Sequence, residues 1–298
     1  MVQDVIGCFS FMVHAMIEVN FPCQFGNIKG LCWGKDNPNK ILALHGWLDN
    51  AASFCELAPL LASKGYEVVA IDFAGHGHSD HKAPGHFVHF IDYVLDVQEI
   101  MNQLNWQRPI LLGHSMGAAM AHLYAATTPE TIDKLIMIEN IGPVPSYESG
   151  TAADNLKEAL KQWQNHSLKH KHFYPNVETA LKARIKATPM PESILKPMIA
   201  RGLKKAEKGY HWRTDKRLRL RSLFRLSEEI VQDMLSAKKP PTQLILATPT
   251  TYALSYSQVE QRIKTLAADE VIELAGHHHL HMDNSEAVFS KIHTFLNK

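Results

Sequence analysis

The chain has 298 residues, of which 45% are hydrophobic and 20% are charged, and its net charge is +1. A chain of this length and composition buries a sizeable core, either as one large domain or as a domain with an insertion. The near-neutral charge argues against nucleic acid as the main partner, and no stretch is apolar for the length that spans a membrane.

The cysteines and the first residues bear on where the protein works. Cys8, Cys23, Cys32 and Cys55 all lie in the first fifth of the chain and form no C-x-x-C motif. Such thiols are typical of a reducing compartment and not of a disulfide framework. The apolar stretch 5–17 lacks a basic start and a cleavage motif, so we expect no signal peptide and a cytoplasmic protein.

The first hundred residues predict strands that alternate with helices. Residues 10–34 alternate loosely between apolar and polar and predict two antiparallel edge strands. Short apolar runs at 41–44 and 68–71 predict parallel strands buried on both faces. Two groups of apolar residues recur at helical spacing, namely Phe54, Leu57 and Leu61, then Phe87, Ile91, Val94, Leu95 and Leu104.

The stretch 110–119 joins an apolar run to Gly113-His114-Ser115-Met116-Gly117, which fits the pattern G-x-S-x-G. Small residues follow and predict a helix that ends near Thr127. A serine between a buried strand and such a helix is typical of a nucleophile elbow, a strained turn that exposes the hydroxyl. Ser115 is therefore the candidate nucleophile, and a buried serine in a glycine-rich turn is the alternative.

The alternation of strands and helices stops near Gly142. From residue 143 to 240 the pattern is helical, with no convincing strand. Further strands are predicted at 135–138, 243–247 and 271–274, and a last helix at 285–296. We therefore predict an α/β core of residues 1–142 and 241–298, with residues 143–240 inserted as a helical cap above the carboxyl edge of the sheet.

Four blocks together resemble the α/β-hydrolase superfamily across nearly the whole chain. They are His45-Gly46-Trp47, Gly75-His76-Gly77-His78-Ser79, the elbow and the late block 275–283. The stretches 45–50 and 209–215 are similar to the serine hydrolase-like subfamily. The resemblance implies an α/β-hydrolase fold, with a mostly parallel eight-stranded sheet flanked by helices. The fold hosts several reactions, but dehalogenases and epoxide hydrolases carry aspartate where this chain has Ser115.

The late block supplies the candidate base. In this superfamily the histidine follows the last strand, and aligning His281 with the family run G-x-H-x-x-H places the base at His278. His277 directly follows a glycine and stays an alternative, while His279 and His281 are expected to pack the loop. Four histidines in five positions also suggest a zinc or nickel site, together with a second cluster of His76, His78, His81, His86 and His89. The spacing of neither cluster fits a familiar motif, so we predict no metal and no cofactor.

The acid of the predicted triad is not where the superfamily usually has it. It normally follows the strand at 243–247, but residues 248–252 contain no group that carries a charge. Some capped members place it after the strand that follows the nucleophile helix, and here that residue is Glu139. A carboxylate after four apolar residues is unfavourable there without a partner. We therefore predict the triad Ser115, His278 and Glu139, with an outward-facing Glu139 as the alternative.

The resemblance also implies how the site binds its substrate. The backbone N–H groups of Trp47 and Met116 would form the oxyanion hole, and His45 would hold the loop. Trp47, Asp49 and His114 are expected to line the substrate pocket, with a plain core position as the alternative for Trp47.

One stretch of the predicted cap is strongly basic. Residues 196–225 contain eleven Lys or Arg against Glu207 and Asp215, a local charge of +9. A solvated helix face is one interpretation. The other is that some of these cations meet an anionic substrate group or attract an acidic ligand.

Together these features predict a cytoplasmic serine hydrolase of the carboxylesterase type. It would cleave an ester or related acyl bond of a small molecule through an acyl-enzyme on Ser115. A hydrolase-fold protein that binds a small ligand with little or no turnover is the alternative. We expect a monomer or a homodimer, with neither nucleic acid nor a membrane as partner.

Overall fold

The computed structural model describes residues 16–85, 89–144, 151–165, 172–249 and 254–298. In chain order its strands are Ile17–Cys23 (β1), Gly26–Trp33 (β2), Asn39–Leu44 (β3), Tyr66–Ile71 (β4), Ile110–His114 (β5), Leu135–Ile138 (β6), Leu203–Ala206 (β7), Gly209–Trp212 (β8), Thr242–Thr248 (β9) and Glu270–Ala275 (β10). Within the described residues, eight of them form one sheet in the order β1-β2-β4-β3-β5-β6-β9-β10.

Helices cover both faces of this sheet. They are Leu57–Ala62 (α1), Tyr93–Leu104 (α2), Met116–Thr127 (α3), Ala152–Asn165 (α4), Val177–Ala187 (α5), Glu192–Gly202 (α6), Glu228–Ser236 (α7), Tyr256–Leu266 (α8), Leu280–Asp283 (α9) and Ser285–Leu296 (α10). Among the described residues, no helix is both long and apolar enough to cross a membrane.

The sheet has the predicted mixture of directions. Strand β2 is antiparallel to both β1 and β4, and the other neighbouring strands run parallel. The predicted fold class, a mostly parallel eight-stranded sheet flanked by helices, is therefore confirmed.

Of the residues that predicted the first strand and the second helix, Phe11, Val13, Ala15 and Phe87 lie outside the described residues.

Two apolar cores lie on the two faces of the sheet, because successive side chains of a strand point to opposite faces. Leu42 and Leu111 pack with the helices α2 and α3 on one face. Ile41 and Leu112 pack with α1 and α10 on the other. Burial on both faces explains why the central strands read as continuous apolar runs.

Residues 143–240, here called the inserted segment, lie between β6 and β9. They carry α4 to α7, a one-turn helix at Lys216–Arg219 and an antiparallel hairpin of β7 and β8. The prediction that this segment contains no strand is wrong. Each hairpin strand has only four residues, too few for a clear alternation. The turn requires Gly209, whose φ is +111° and where a Cβ would lie 2.3 Å from the Tyr174 carbonyl oxygen.

Buried arginines join the inserted segment to the sheet domain. Arg201 of α6 donates from Nε to both carboxylate oxygens of Asp72, at 3.0 and 2.9 Å, and from Nη1 to Glu18 of β1 at 2.6 Å. Arg262 of α8 is fully buried and donates from Nη2 to Glu228 of α7 at 2.6 Å. Its Nη1 donates to the carbonyl oxygens of residues 141 and 143. A buried guanidinium without such acceptors is strongly unfavourable, so these pairs fix where the segment sits.

Candidate active site

Ser115 lies at the turn between β5 and α3 with φ at +49°. This left-handed conformation is strained for a residue with a side chain. The two glycines of the motif are required by close backbone contacts. A Cβ on Gly113 would lie 2.3 Å from the Cα of Ala118, and a Cβ on Gly117 would lie 2.0 Å from the carbonyl oxygen of Leu44. The stretch therefore forms the sharp strand-to-helix turn that its sequence predicts.

His278 lies between Ser115 and Glu139. Its Nε2 is 2.9 Å from the Ser115 Oγ, and its Nδ1 is 3.1 Å from a Glu139 carboxylate oxygen. A carboxylate accepts hydrogen bonds, so these partners assign the proton of the neutral ring to Nδ1. Nε2 is then the acceptor for the serine hydroxyl. The structure thus brings together the three residues that the sequence analysis combined.

Glu139 follows β6 directly and is fully buried. Its φ is +55°, a second strained position at this edge of the sheet. Its N–H donates to the Ile245 carbonyl at 2.8 Å, and its carboxylate accepts the N–H of Ala247. The outward-facing alternative is therefore wrong. In the loop after β9, which contains no acid, the hydroxyl of Thr248 donates to Glu273 at 3.2 Å. Residues 250–252 of this loop lie outside the described residues.

The other histidines of the late block have different partners. His277 is 45% exposed, and its Nε2 lies 2.7 Å from a carboxylate oxygen of Asp283. It does not face Ser115. His281 is buried in the loop, where its ring centroid is 4.0 Å from that of His114. The packing role predicted for this histidine agrees with its position.

His114 holds the loop that carries His278. Its Nε2 donates to the His278 carbonyl oxygen at 2.7 Å. Burial, and then the neighbouring imidazoles, lower the pKa of His114 well below its usual value. The ring therefore stays neutral, and the bond from the elbow strand fixes the backbone of His278 relative to Ser115.

Two backbone N–H groups beside Ser115 are free to receive an oxyanion. The N–H groups of Trp47 and Met116 have no hydrogen bond to any residue that the structure describes. Met116 is the first residue of α3, where N–H groups have no partner inside the helix and the helix dipole favours negative charge. Their assignment as the oxyanion hole stays a prediction that this geometry supports.

The loop that carries Trp47 is held by two neutral histidines. His45 donates from Nδ1 to the Gly46 carbonyl at 2.7 Å and accepts the N–H of Phe73 at Nε2, at 3.1 Å. His76 accepts the N–H of Leu48 at Nε2, at 3.2 Å. Burial lowers the pKa of His45, and it lowers that of His76 to about 3. Both rings are therefore neutral, so the Nδ1–H of His45 can donate to Gly46 while the Nε2 lone pair of His76 accepts from Leu48.

A cavity of about 510 Å³ lies between the carboxyl edge of the sheet and the inserted segment. Ser115 and His278 line it, and so do Trp47, Asp49 and His114, the three residues predicted for the pocket. Trp47 is 51% exposed, and its indole N–H donates to the Leu218 carbonyl at 3.2 Å. A plain core position for Trp47 is therefore wrong.

Asp49 forms a second carboxylate–histidine pair next to the first. It lies 3.2 Å from the Nε2 of His279 and accepts a bond of 2.7 Å from Arg184 of α5. Burial acts to raise the pKa of Asp49, but His279 and Arg184 outweigh it, and the pKa is lowered. Sequence analysis did not single out Arg184, which lies 135 positions from its partner.

The described thiols and histidines outside the site show neither a metal site nor a reactive thiol. In the described ranges, no group of three or more His, Cys, Asp or Glu is arranged to hold a metal ion. His86 and Cys8 lie outside those ranges. Cys23, Cys32 and Cys55 are free, and burial raises the pKa of each to about 12, so these thiols stay protonated. The expected absence of a metal and a cofactor stays a prediction.

Comparison with known proteins gives the family. The model of the alpha/beta hydrolase fold matches residues 39–278. A serine hydrolase-like protein of Danio rerio is 30% identical over 295 residues, which is 96% of this chain and 90% of that protein. The crystal structure of a hypothetical protein from Pseudomonas aeruginosa is 37% identical, with a TM-score of 0.86, and the match covers 94% of this chain and 99% of that one. A thioesterase domain from the curacin biosynthetic pathway has the same TM-score and coverage at 27% identity. The chain therefore belongs to the α/β-hydrolase family and is related to its serine hydrolase-like proteins.

Proposed function

We propose that this protein is a serine hydrolase that cleaves an ester or thioester of a small molecule through an acyl-enzyme on Ser115. The observation that carries the proposal is the hydrogen-bonded row of Ser115, His278 and Glu139 at the cavity wall. The names of the relatives, a serine hydrolase-like protein and a thioesterase domain, agree with this reaction class.

In the first half-reaction the Ser115 Oγ attacks the substrate carbonyl carbon. Its proton passes to Nε2 of His278, and the carbonyl oxygen becomes an oxyanion. The free N–H groups of Trp47 and Met116 donate to that oxyanion, whose charge exists only after attack, so they stabilise the transition state more than the substrate. When the intermediate collapses, the alcohol or thiol leaves with the proton from Nε2.

In the second half-reaction water replaces the leaving group. His278 takes a proton from the water, which attacks the acyl carbon, and then returns the proton to the Ser115 Oγ as the free acid leaves. In both halves the imidazole becomes positively charged for a moment. The Glu139 carboxylate on Nδ1 stabilises that charge and fixes the ring tautomer.

The absence of an acid after β9 is the reason to consider the alternative function, ligand binding with little or no turnover. Glu139 on His278 supplies a carboxylate in its place and so favours an enzyme. The expected small-molecule substrate, the cytoplasmic location and the monomeric or homodimeric state stay predictions.

A covalent probe tests the proposal directly. A fluorophosphonate phosphonylates an activated serine with loss of fluoride, and mass spectrometry of the digested protein should find the adduct on Ser115. Ser115→Ala should give no adduct and no ester hydrolysis. The control is Ser193→Ala, which replaces an exposed serine of α6 and should be labelled like the parent. An adduct on another residue, or equal labelling of Ser115→Ala, would refute the proposal.

A further inference from the structure

The basic residues of 196–225 do not form one solvated face. Arg201 and Arg217 are buried in ion pairs with Asp72 and Asp215. Four lysines are exposed, namely Lys196, Lys204, Lys205 and Lys208. Of the eleven basic residues, all of which the structure describes, Arg219 is the one that lines the cavity.

Arg219 lies at the rim of the cavity. It ends the one-turn helix Lys216–Arg219, and the preceding residue, Leu218, accepts the indole N–H of Trp47. Arg219 is exposed, and its guanidinium has no hydrogen bond or ion pair to the described residues. Its donors are therefore available to a molecule that enters beside Trp47.

A second guanidinium lines the same cavity from another element. Arg184 donates from Nη2 to Asp49, but its Nε is buried and has no partner among the described residues. Asp49 is shared, since it also lies 3.2 Å from His279 and 3.9 Å from the Nδ1 of His114. A buried N–H without an acceptor is unfavourable, so the guanidinium of Arg184 keeps hydrogen-bonding capacity that the described side chains do not satisfy.

The charges and donors that line the cavity favour an anion. Asp49 is the one carboxylate among the lining residues and is already paired with Arg184, so the guanidinium of Arg219 is the lining charge without a counter-ion. The hydroxyl groups of Thr188 and Thr214 also line it and have no hydrogen bond to the part of the chain that is described. In a cleft with low-dielectric walls, an unbalanced charge attracts and holds the opposite charge.

We propose that the substrate is an ester or thioester that carries a carboxylate or phosphate group, which Arg219 binds together with Arg184. A guanidinium donates two parallel hydrogen bonds to either group, which fixes the orientation of the substrate as well as its affinity. This inference rests on the proposed function for its reaction and adds the substrate class. Arg219 is then the residue of the basic stretch that recognises the substrate.

Matched esters test the substrate class. The 4-nitrophenyl monoester of glutaric acid and 4-nitrophenyl pentanoate have the same chain length, and they differ in a terminal carboxylate against a methyl group. We expect kcat/KM to be about 10-fold or more higher for the charged ester, in line with one charge-assisted contact. A third ester, 4-nitrophenyl 4-(phosphonooxy)butanoate, shows whether phosphate or carboxylate is preferred.

Variants distinguish a direct contact between Arg219 and the substrate from the electrostatic field of the whole basic stretch. Arg219→Gln should lower kcat/KM for the charged esters about 10- to 100-fold and leave the neutral ester within about two-fold. Lys204→Gln removes the same charge from the exposed hairpin and should change neither. The inference is wrong if the parent does not prefer a charged ester, if Arg219→Gln slows both esters equally, or if Lys204→Gln matches Arg219→Gln.

A binding measurement makes the test independent of turnover. In Ser115→Ala, calorimetry compares the monoanilide of glutaric acid with the anilide of pentanoic acid, since amides of this kind are stable analogues. The charged anilide should bind at least about 10-fold more tightly, and Arg219→Gln should abolish the difference. If this holds while Ser115 takes no probe, the anion site stands and the hydrolase proposal fails. If Ser115 takes the probe but no charge preference exists, the substrate class is wrong.

Discussion

Two carboxylate–histidine pairs lie next to each other at the carboxyl edge of the sheet. Glu139 contacts His278, and Asp49 contacts His279, the next residue along the chain. The other neighbours of each pair differ. The ring of His278 reaches the Ser115 hydroxyl, whereas the carboxylate of Asp49 also accepts a bond from Arg184.

In the proposed mechanism, this difference gives the two pairs different roles: the first activates the nucleophile, and the second anchors the inserted segment. The Glu139 carboxylate accepts the backbone N–H of Ala247 and contacts the imidazole of His278, so its charge can stabilise the imidazolium that forms during attack. The charge of Asp49 is already balanced by the guanidinium of Arg184, which comes from the inserted segment. In the proposed mechanism the first pair serves the reaction, whereas the second connects the inserted segment to the histidine loop.

The largest expected effect is the loss of the histidine of the first pair. His278→Ala should lower kcat by about three or more decades, because no base then takes the Ser115 proton. His279→Ala, in the second pair, should lower it far less. Steady-state rates with a 4-nitrophenyl ester measure both, and a larger loss for His279→Ala would reverse the assignment of the two pairs.

The acid of the first pair should come next. Glu139→Gln keeps the size of the side chain but removes its charge, and kcat should fall by about two to four decades. The reaction of Ser115 with fluorophosphonate should slow in parallel. If the variant hydrolyses esters as fast as the parent, Glu139 is not the acid of a triad, and a Ser115–His278 dyad becomes the better description.

The acid of the second pair should affect stability more than chemistry. Asp49→Asn should change kcat less than about 10-fold, but it leaves the mostly buried Arg184 without its counter-ion. We expect the free energy of unfolding to fall by about 1–3 kcal/mol, below the range for fully buried pairs because Arg184 is 19% exposed. Urea denaturation at pH 7 measures this loss. A kcat loss as large as that of Glu139→Gln would show that both pairs serve the reaction.

The pH dependence of stability tests the contribution of the same Asp49 ion pair. The pKa of Asp49 is lowered in the folded chain, so the unfolded chain binds its proton first, near its ordinary pKa of about 3.9. The stabilisation by Asp49 is therefore complete above that pH and declines as the pH falls below it. Between pH 5 and 3 the parent should lose more free energy of unfolding than Asp49→Asn. Equal losses would mean that the ion pair contributes nothing.

The smallest effect is expected for the exposed rival of His278. His277→Ala removes a contact with Asp283 at the surface and should change kcat/KM less than about three-fold, since exposed ion pairs contribute little. A loss greater than that of His278→Ala would place the base one residue earlier in the chain.

The parts of the site that the sequence predicts are those set by position along the chain. The apolar runs locate β5 and β6, so the residues that follow them, Ser115 and Glu139, fall at the same edge of the sheet. The glycines 113 and 117 follow from the same turn. These features depend on local pattern and on the rule that parallel strands end at one edge.

The remaining parts depend on contacts that a local pattern does not record. Arg184 reaches Asp49 only because α5 folds back over the sheet, and helical periodicity says nothing about which side chain it presents there. The hairpin of β7 and β8 has strands too short to show alternation. Helix α8 was missed although Ser255 and Gln258 form a capping box at its start.

The buried Arg262 has a consequence for how molecules enter. It holds the carbonyl groups of residues 141 and 143, where the chain leaves the sheet, and the carboxylate of Glu228 at the other end of the inserted segment. Swinging the segment away would strip this fully buried cation of two acceptors, the residue 143 carbonyl and the Glu228 carboxylate. Both ends of the inserted segment are therefore tied to one buried cation, which disfavours a rigid-body movement of the whole segment away from the sheet when a substrate enters.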